Sequence, residues 1–142
     1  MKRVKDILAD RGSDIWGIEP DASVYDAIHL LAEKEIGALA VMDNDRIVGI
    51  ISERDYARQI ILKDRSSRQT LVKDIMSTDL VTAVPDQDVQ QCMELMSESR
   101  IRHLPILDGD KLVGMISIGD LVRTIIAEQQ STIVDLEKYI TG

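Results

Sequence analysis

The chain has 142 residues with 17 Lys plus Arg against 25 Asp plus Glu, a net charge of −8 that repels nucleic-acid backbones and makes them unlikely partners. It contains no Phe, one Trp and three Tyr, so the interleaved aromatics that stack single-stranded bases are missing and aliphatic packing must build the core. A lone cysteine, Cys92, cannot close an internal disulfide, and no apolar run is long enough for a signal sequence or a membrane span, which together predict a cytoplasmic, non-secreted protein away from membranes.

The sequence repeats itself. Residues 20–62 align without a gap on residues 85–127, displaced by 65, with 17 identities in 43 positions, where chance gives about three. Upstream, Val4-Lys5-Asp6-Ile7 recurs as Val72-Lys73-Asp74-Ile75 at a displacement of 68, which leaves three extra residues and a longer loop around Arg11-Gly12-Ser13-Asp14. The expected domains are a first repeat with its linker over 1–70, a second over 71–127, and a helical tail over 128–142.

In chain order, each copy opens with a short predicted strand, Ile15-Trp16-Gly17-Ile18 or Leu80-Val81-Thr82-Ala83, followed by a proline. A helix comes next, because Val24, Ala27, Ile28 and Leu31, and again Val89, Cys92, Met93 and Met96, keep the spacing of one buried face. Asp21 and Asp86 stand just ahead, where a carboxylate complements the helix dipole. Two apolar runs separated by Asp43-Asn44-Asp45 or Asp108-Gly109-Asp110 predict a β-hairpin in each copy, covered on both faces. A second helix starts after Ser52 and after Ser117, carrying Tyr56, Ile60 and Ile61 or Leu121, Ile125 and Ile126. Residues 63–70 read as a solvated linker, and Ile133 to Ile140 as a third, mostly polar helix or tail.

Chemistry concentrates in Val48-Gly49-Ile50-Ile51-Ser52-Glu53-Arg54-Asp55 and Val113-Gly114-Met115-Ile116-Ser117-Ile118-Gly119-Asp120. A glycine inside a strand marks a bulge or the close approach of another group. A hydroxyl and a carboxylate three residues apart at a strand-to-helix junction suit ribose hydroxyls and a nearby phosphate. The same Ser-x-x-acid spacing is also the ordinary capping box, and the two uses can coexist.

Taken together, strand, Pro, amphipathic helix, hydrophobic-x-x-Leu-Pro hairpin and Gly-x-x-Ser-x-x-Asp, twice in tandem, resemble the CBS-domain pair, or Bateman module, from about Val4 to Ala127. The resemblance implies an α+β fold of tandem β-α-β-β-α repeats with pseudo-twofold symmetry, small sheets packed under helices, and two clefts between the repeats. It also implies an adenine-nucleotide-binding sensor for signal transduction or energy sensing, not an enzyme, taking AMP, ADP, ATP, NAD or S-adenosylmethionine, without a catalytic cofactor or metal. Carried over by motif, one cleft would use Ser52 and Asp55 with Val81, Thr82, Ile101, Arg102 and His103, with Arg54, Arg100 and Pro105 nearby. The other would use Ser117 and Asp120 with Trp16, Ile18, Ile36, Gly37 and Ala38. Since charge-assisted bonds to phosphate are roughly twice as strong as neutral ones, the Arg102/His103 cleft is expected to bind phosphorylated adenosines more tightly.

The sequence departs from the pattern at Ala40, where the other copy has Pro105, and at the small Gly119. His29 reads as a boundary residue, Cys92 and the methionines as core, and Trp16 as either a purine stacker or packing. A homodimer and an unnamed regulated protein are the implied partners, and a ligand-free interaction scaffold is the alternative function.

Overall fold

The computed structural model describes residues 2–12 and 14–141, and it divides into two units. One gathers residues 14–80 and 109–113; the other gathers 2–12, 81–108 and 114–141.

In the first unit, strand β1 (Gly17–Ile18) pairs in parallel with β2 (Ala38–Asp43), which pairs antiparallel with β3 (Arg46–Ser52). The two-residue turn between β2 and β3 places Asn44 at φ 57°, a left-handed conformation that Asn tolerates. Helix α2 (Val24–Lys34) starts at Ser23, whose hydroxyl accepts the Asp26 N–H at 3.1 Å, and ends at a left-handed Glu35. Val24, Ala27 and Leu31 of α2 pack with Leu39 and Val41 of β2, Ile51 of β3, Ile60, Val72 and Ile75 in one apolar core. Helix α3 (Glu53–Tyr56) widens at once into a π-helical segment, Ala57–Ile61, which buries Ile60 and leaves Ile61 exposed. The linker is solvated as expected, yet it also closes on α2: the Thr70 and Ser67 carbonyls accept the Val24 and Tyr25 N–H groups, and Arg68 lies 3.9 Å over the Tyr25 ring.

In the second unit, α1 (Val4–Arg11) joins α4 (Val89–Ser99), β4 (His103–Asp108), the part of β5 (Lys111–Ser117) from Gly114 onward, and α5 (Ile118–Thr141). Val89, Cys92 and Met96 of α4, Leu104 and Ile106 of β4, Ile116 of β5 and Leu121 of α5 are buried, as the periodicity predicts. Burial raises the Cys92 thiol pKa, with Asp88 adding to it, so this cysteine behaves as core.

Two expectations need correction. The strand expected at 80–83 is a single bridge, Ala83 to Ile106, because only Ala83 exchanges backbone bonds with β4. The tail is no separate helix: α5 runs unbroken for 24 residues, since nothing between Ala127 and Ile133 breaks a helix. Asp21 and Asp86 stand just ahead of α2 and α4, two residues before the caps. Ser23 and Asp88 hold the cap positions, and the earlier acids fasten the segments that arrive from upstream. The loop expected around Arg11 begins at Gly12, at φ 91°, and its Ser13 lies outside the described residues.

That fastening shows what the recurrent Val-Lys-Asp-Ile segments do. The Val4 and Lys5 N–H groups donate to the carbonyls of Gln87 and Pro85, and Lys5 Nζ sits 3.1 Å from Asp86. The Val72 and Lys73 N–H groups donate to Ala22 and Pro20, and Lys73 Nζ sits 2.9 Å from Asp21. Each segment therefore docks on the sequence copy to which it does not belong.

Candidate functional site

The two Ser-x-x-Asp junctions stand at the ends of β3 and β5, where each strand turns into a helix. In the first, the Asp55 carboxylate accepts from the Ser52 N–H at 2.9 Å and from the Ser52 hydroxyl at 3.0 Å, both on Oδ2, while the Asp55 N–H donates to Ser52 Oγ at 3.2 Å. This is a reciprocal capping box, so the conservative reading of the spacing holds. It also leaves Oδ1 with no hydrogen bond among the described residues. In the second, Asp120 Oδ2 accepts from the Ser117 N–H at 2.9 Å and the Asp120 N–H donates to Ser117 Oγ at 3.2 Å. Here Oδ1 is taken by the Arg123 guanidinium at 2.8 Å, and Asp120 is 8% exposed.

Both strand glycines answer to close approach. A Cβ on Gly49 would lie 2.6 Å from Met76 Sδ and 3.0 Å from the Ser77 carbonyl, and one on Gly114 would lie 2.7 Å from Leu8 Cδ2. A register shift of the β2–β3 ladder falls between Val41 and Met42, opposite this point, so Gly49 marks a bulge as well. The glycines are thus explained by packing: Met76 and Leu8 each follow a Val-Lys-Asp-Ile segment.

Within the first unit, Gly37 and Ala38 sit beside Ser52: Ala38 is its ladder partner, and the Glu53 N–H donates to the Gly37 carbonyl at 3.1 Å. Ala38 is buried, Ile18, Ile36 and Gly37 are half-buried, and Arg54 is exposed. Trp16 is 39% exposed, with the Lys34 ammonium 4.2 Å from its ring centroid, so it is not a core residue. Within the second unit, Arg102 and His103 sit beside Ser117, with the Ile118 N–H donating to the Arg102 carbonyl at 2.8 Å. Arg100 is the left-handed C-cap of α4; its side chain and that of Arg102 are exposed, and neither forms an ion pair among the described residues. Val81, Thr82 and Ile101 are half-buried, whereas Pro105 is buried and offers its carbonyl to the Ala83 N–H. His29 is exposed, its ring 6.1 Å from that of Tyr25.

Sequence reading missed the Arg123 contact. The signal was present: Asp-x-x-Arg recurs as Asp55/Arg58 and Asp120/Arg123, the spacing of an i,i+3 ion pair. Among the described residues, no group of three or more His, Cys, Asp or Glu side chains is placed to hold a metal ion, and no helix is long and apolar enough to cross a membrane.

Duplicated sequence, paired hairpins and matched strand-to-helix junctions define a tandem α+β repeat protein. A model of the CBS domain matches residues 4–62 and again 72–127, and the chain belongs to that family. It is 51% identical to a putative signal-transduction protein with CBS domains from Burkholderia ambifaria, covering 90% of this chain and 96% of that one, with a TM-score of 0.86. It is 40% identical to the mitochondrial CBS domain-containing protein CBSX3 of Arabidopsis thaliana over 92% of this chain, and spans 66% of that protein's length. A CBS domain pair solved in complex with 5′-methylthioadenosine and S-adenosyl-L-methionine is 25% identical, covering 90% of this chain and 98% of that one, with a TM-score of 0.80.

Proposed function

We propose that this chain is a regulatory module that binds adenosine-containing ligands at its Ser-x-x-Asp junctions and performs no catalysis of its own. The observation that carries the reading is Asp55: its Oδ2 is held by the capping box while its Oδ1 is left open to accept a ribose hydroxyl. The fold relative with adenosine-containing ligands supports the ligand class. Neither junction pairs a nucleophile with a general base, which is what hydrolysis or group transfer would require.

In this reading Ser52 and Asp55 hold one ribose, with Val81, Thr82, Ile101, Arg102 and His103 as the shell of the same ligand, as the family resemblance implies. Ser117 and Asp120 hold the other, with Trp16, Ile18, Ile36, Gly37 and Ala38. The first binds phosphorylated adenosines more tightly, because Arg102 and Arg100 are exposed cations without an ion pair among the described residues and because Asp120 must first release Arg123. A bound ligand favours one arrangement of the protein, which a partner reads. A cytoplasmic location and a homodimer belong to the same proposal.

Calorimetry with AMP, ADP, ATP, NAD and S-adenosylmethionine tests it, giving affinity and stoichiometry per chain. At least one ligand is expected to bind, to raise the melting temperature by mass action, and to bind about tenfold more weakly to Arg102→Ala and to Asp55→Ala. No binding across the panel would turn the reading to its alternative, an interaction scaffold without ligand.

A further inference from the structure

The two copies part company after Leu62 and Ala127. The second continues as α5 through Glu128 and Gln130, where the first has Lys63 and Arg65 and turns away from helix. Residues 57–73 hold five Lys or Arg against a single Asp, in a chain whose net charge is −8. Two of those cations are engaged, Lys73 with Asp21 at 2.9 Å and Arg68 over the Tyr25 ring at 3.9 Å. Arg58, Lys63 and Arg65 are exposed and form no ion pair among the described residues. Between them in sequence lie Ile61 and Leu62, 59% and 77% exposed. Their exposure is built into an ordered backbone. The Leu62 N–H donates to the Ala57 carbonyl at 3.1 Å, closing the π turn, and the Arg65 N–H to the Ile60 carbonyl at 3.0 Å, with Asp64 left-handed at φ 52°. Farther on, the Thr70 hydroxyl donates to the Ser66 carbonyl at 2.7 Å and the Tyr25 N–H to the Ser67 carbonyl at 2.9 Å. A π turn recurs at functional positions in proteins, and this one buries Ile60 while turning Ile61 outward.

We propose that Ile61 and Leu62, flanked by Arg58, Lys63 and Arg65, form a docking surface for an acidic segment of another protein that carries aliphatic side chains among its carboxylates. Charge selects this occupant. The chain as a whole repels anions, so cations without a carboxylate partner beside exposed aliphatic residues suit a partner whose acids touch this patch alone. A broad anionic lipid surface would also meet the acids that dominate the rest of the chain. A nucleic-acid backbone would satisfy the cations and leave Ile61 and Leu62 uncovered. A second copy related by a twofold axis through the patch would set cation against cation. Because the backbone is already ordered, an incoming segment loses little in fixing it, and the apolar pair supplies contact area while the cations supply steering. The second copy, with Glu128 and Gln130 at the matching places, lacks such a surface. None of the residues assigned to nucleotide takes part, so the docking is independent of that reading.

Fluorescence anisotropy with a labelled peptide of Leu and Glu, its leucines along one helical face, tests the proposal on the full chain without nucleotide. The peptide is expected to bind, more weakly as salt rises, and Arg58→Gln/Lys63→Gln/Arg65→Gln to weaken it by at least roughly tenfold. Arg46→Gln/Lys111→Gln/Lys138→Gln removes as many exposed charges elsewhere in the chain and is expected to leave affinity within about twofold. Ile61→Ser/Leu62→Ser should weaken binding with an unchanged circular-dichroism spectrum, and polyglutamate, which has carboxylates without aliphatic side chains, should bind less tightly than the Leu/Glu peptide. Should that double variant lose its fold, Leu62→Ser alone, at a site 77% exposed, replaces it and is expected to act in the same direction. A peptide left unbound at low salt, or equal losses from the patch variant and the charge control, would overturn the proposal. Phosphatidylserine vesicles that bind the wild type and not the patch variant, with the peptide unbound, would overturn the choice of a protein partner.

Discussion

Gly49 and Gly114 hold the same place in the two repeats, yet they meet different neighbours. A Cβ on Gly49 meets Met76 and also the Ser77 carbonyl, which is held by the Ile50 N–H at 3.0 Å. The three atoms nearest a Cβ on Gly114 all belong to the Leu8 side chain, which can rotate away. The same motif letter therefore protects a backbone crossing in one repeat and a side-chain contact in the other. The largest effect is expected here: Gly49→Ala should cost about 2–3 kcal/mol in urea unfolding, and Gly114→Ala about 1 kcal/mol. Adding Leu8→Ala should recover most of the clash penalty at Gly114, beyond its own packing loss, whereas Met76→Ala should recover less at Gly49. Equal costs at the two glycines would remove the distinction.

The junctions differ in a second way. After Ser117 the helix is regular, so Arg123, three residues past Asp120, reaches the free carboxylate oxygen. After Ser52 the chain enters a π turn at Ala57, no ion pair joins the equivalent Arg58 to Asp55 among the described residues, and Asp55 keeps its Oδ1 open. One carboxylate is thus held on both oxygens and the other keeps an oxygen available. Asp120→Ala should accordingly cost about 2 kcal/mol, since it strips a buried group from Ser117 and Arg123, and Asp55→Ala about 1 kcal/mol, the loss of a cap. Chemical denaturation of the two variants side by side checks the order.

The elements that read out of the sequence were those governed by local periodicity. The helical faces Val24/Ala27/Leu31 and Val89/Cys92/Met96, both hairpins and both Ser-led junctions stand where spacing put them. What was not legible depended on partners remote in sequence. Asp21 and Asp86 read only as charges ahead of a helix dipole until Lys73 and Lys5 arrive, and nothing in a Val-Lys-Asp-Ile segment tells which repeat it will dock upon. The bridge at Ala83 and the π turn at Ala57 are likewise outcomes of packing and of chain direction, which override intrinsic preference. The unbroken α5 was legible, since no breaker follows Ala127; periodicity alone did not tell a tail from a continuation.

The smallest effects belong to the two clasps, which differ in the group that shifts. In the Lys5–Asp86 clasp the hydrogen bond from Lys5, and then its charge, lower the Asp86 carboxyl pKa below its ordinary 3.8. In the Lys73–Asp21 clasp the hydrogen bond and charge of Asp21 raise the Lys73 ammonium pKa above 10.5. A depressed carboxyl stabilises the fold above its unfolded pKa and loses that contribution as pH falls through the folded value. A raised ammonium stabilises below its unfolded pKa and loses the contribution as pH climbs through the folded value. Asp86→Asn should therefore lower the melting temperature slightly near neutrality and converge with the wild type only in acid, below the lowered Asp86 pKa, while Lys73→Met should converge with it only at the alkaline end. Both pairs are open to solvent, so added salt should shrink either difference. A gap between Asp86→Asn and wild type that persists in acid would mean that Asp86 acts through something other than its charge on Lys5.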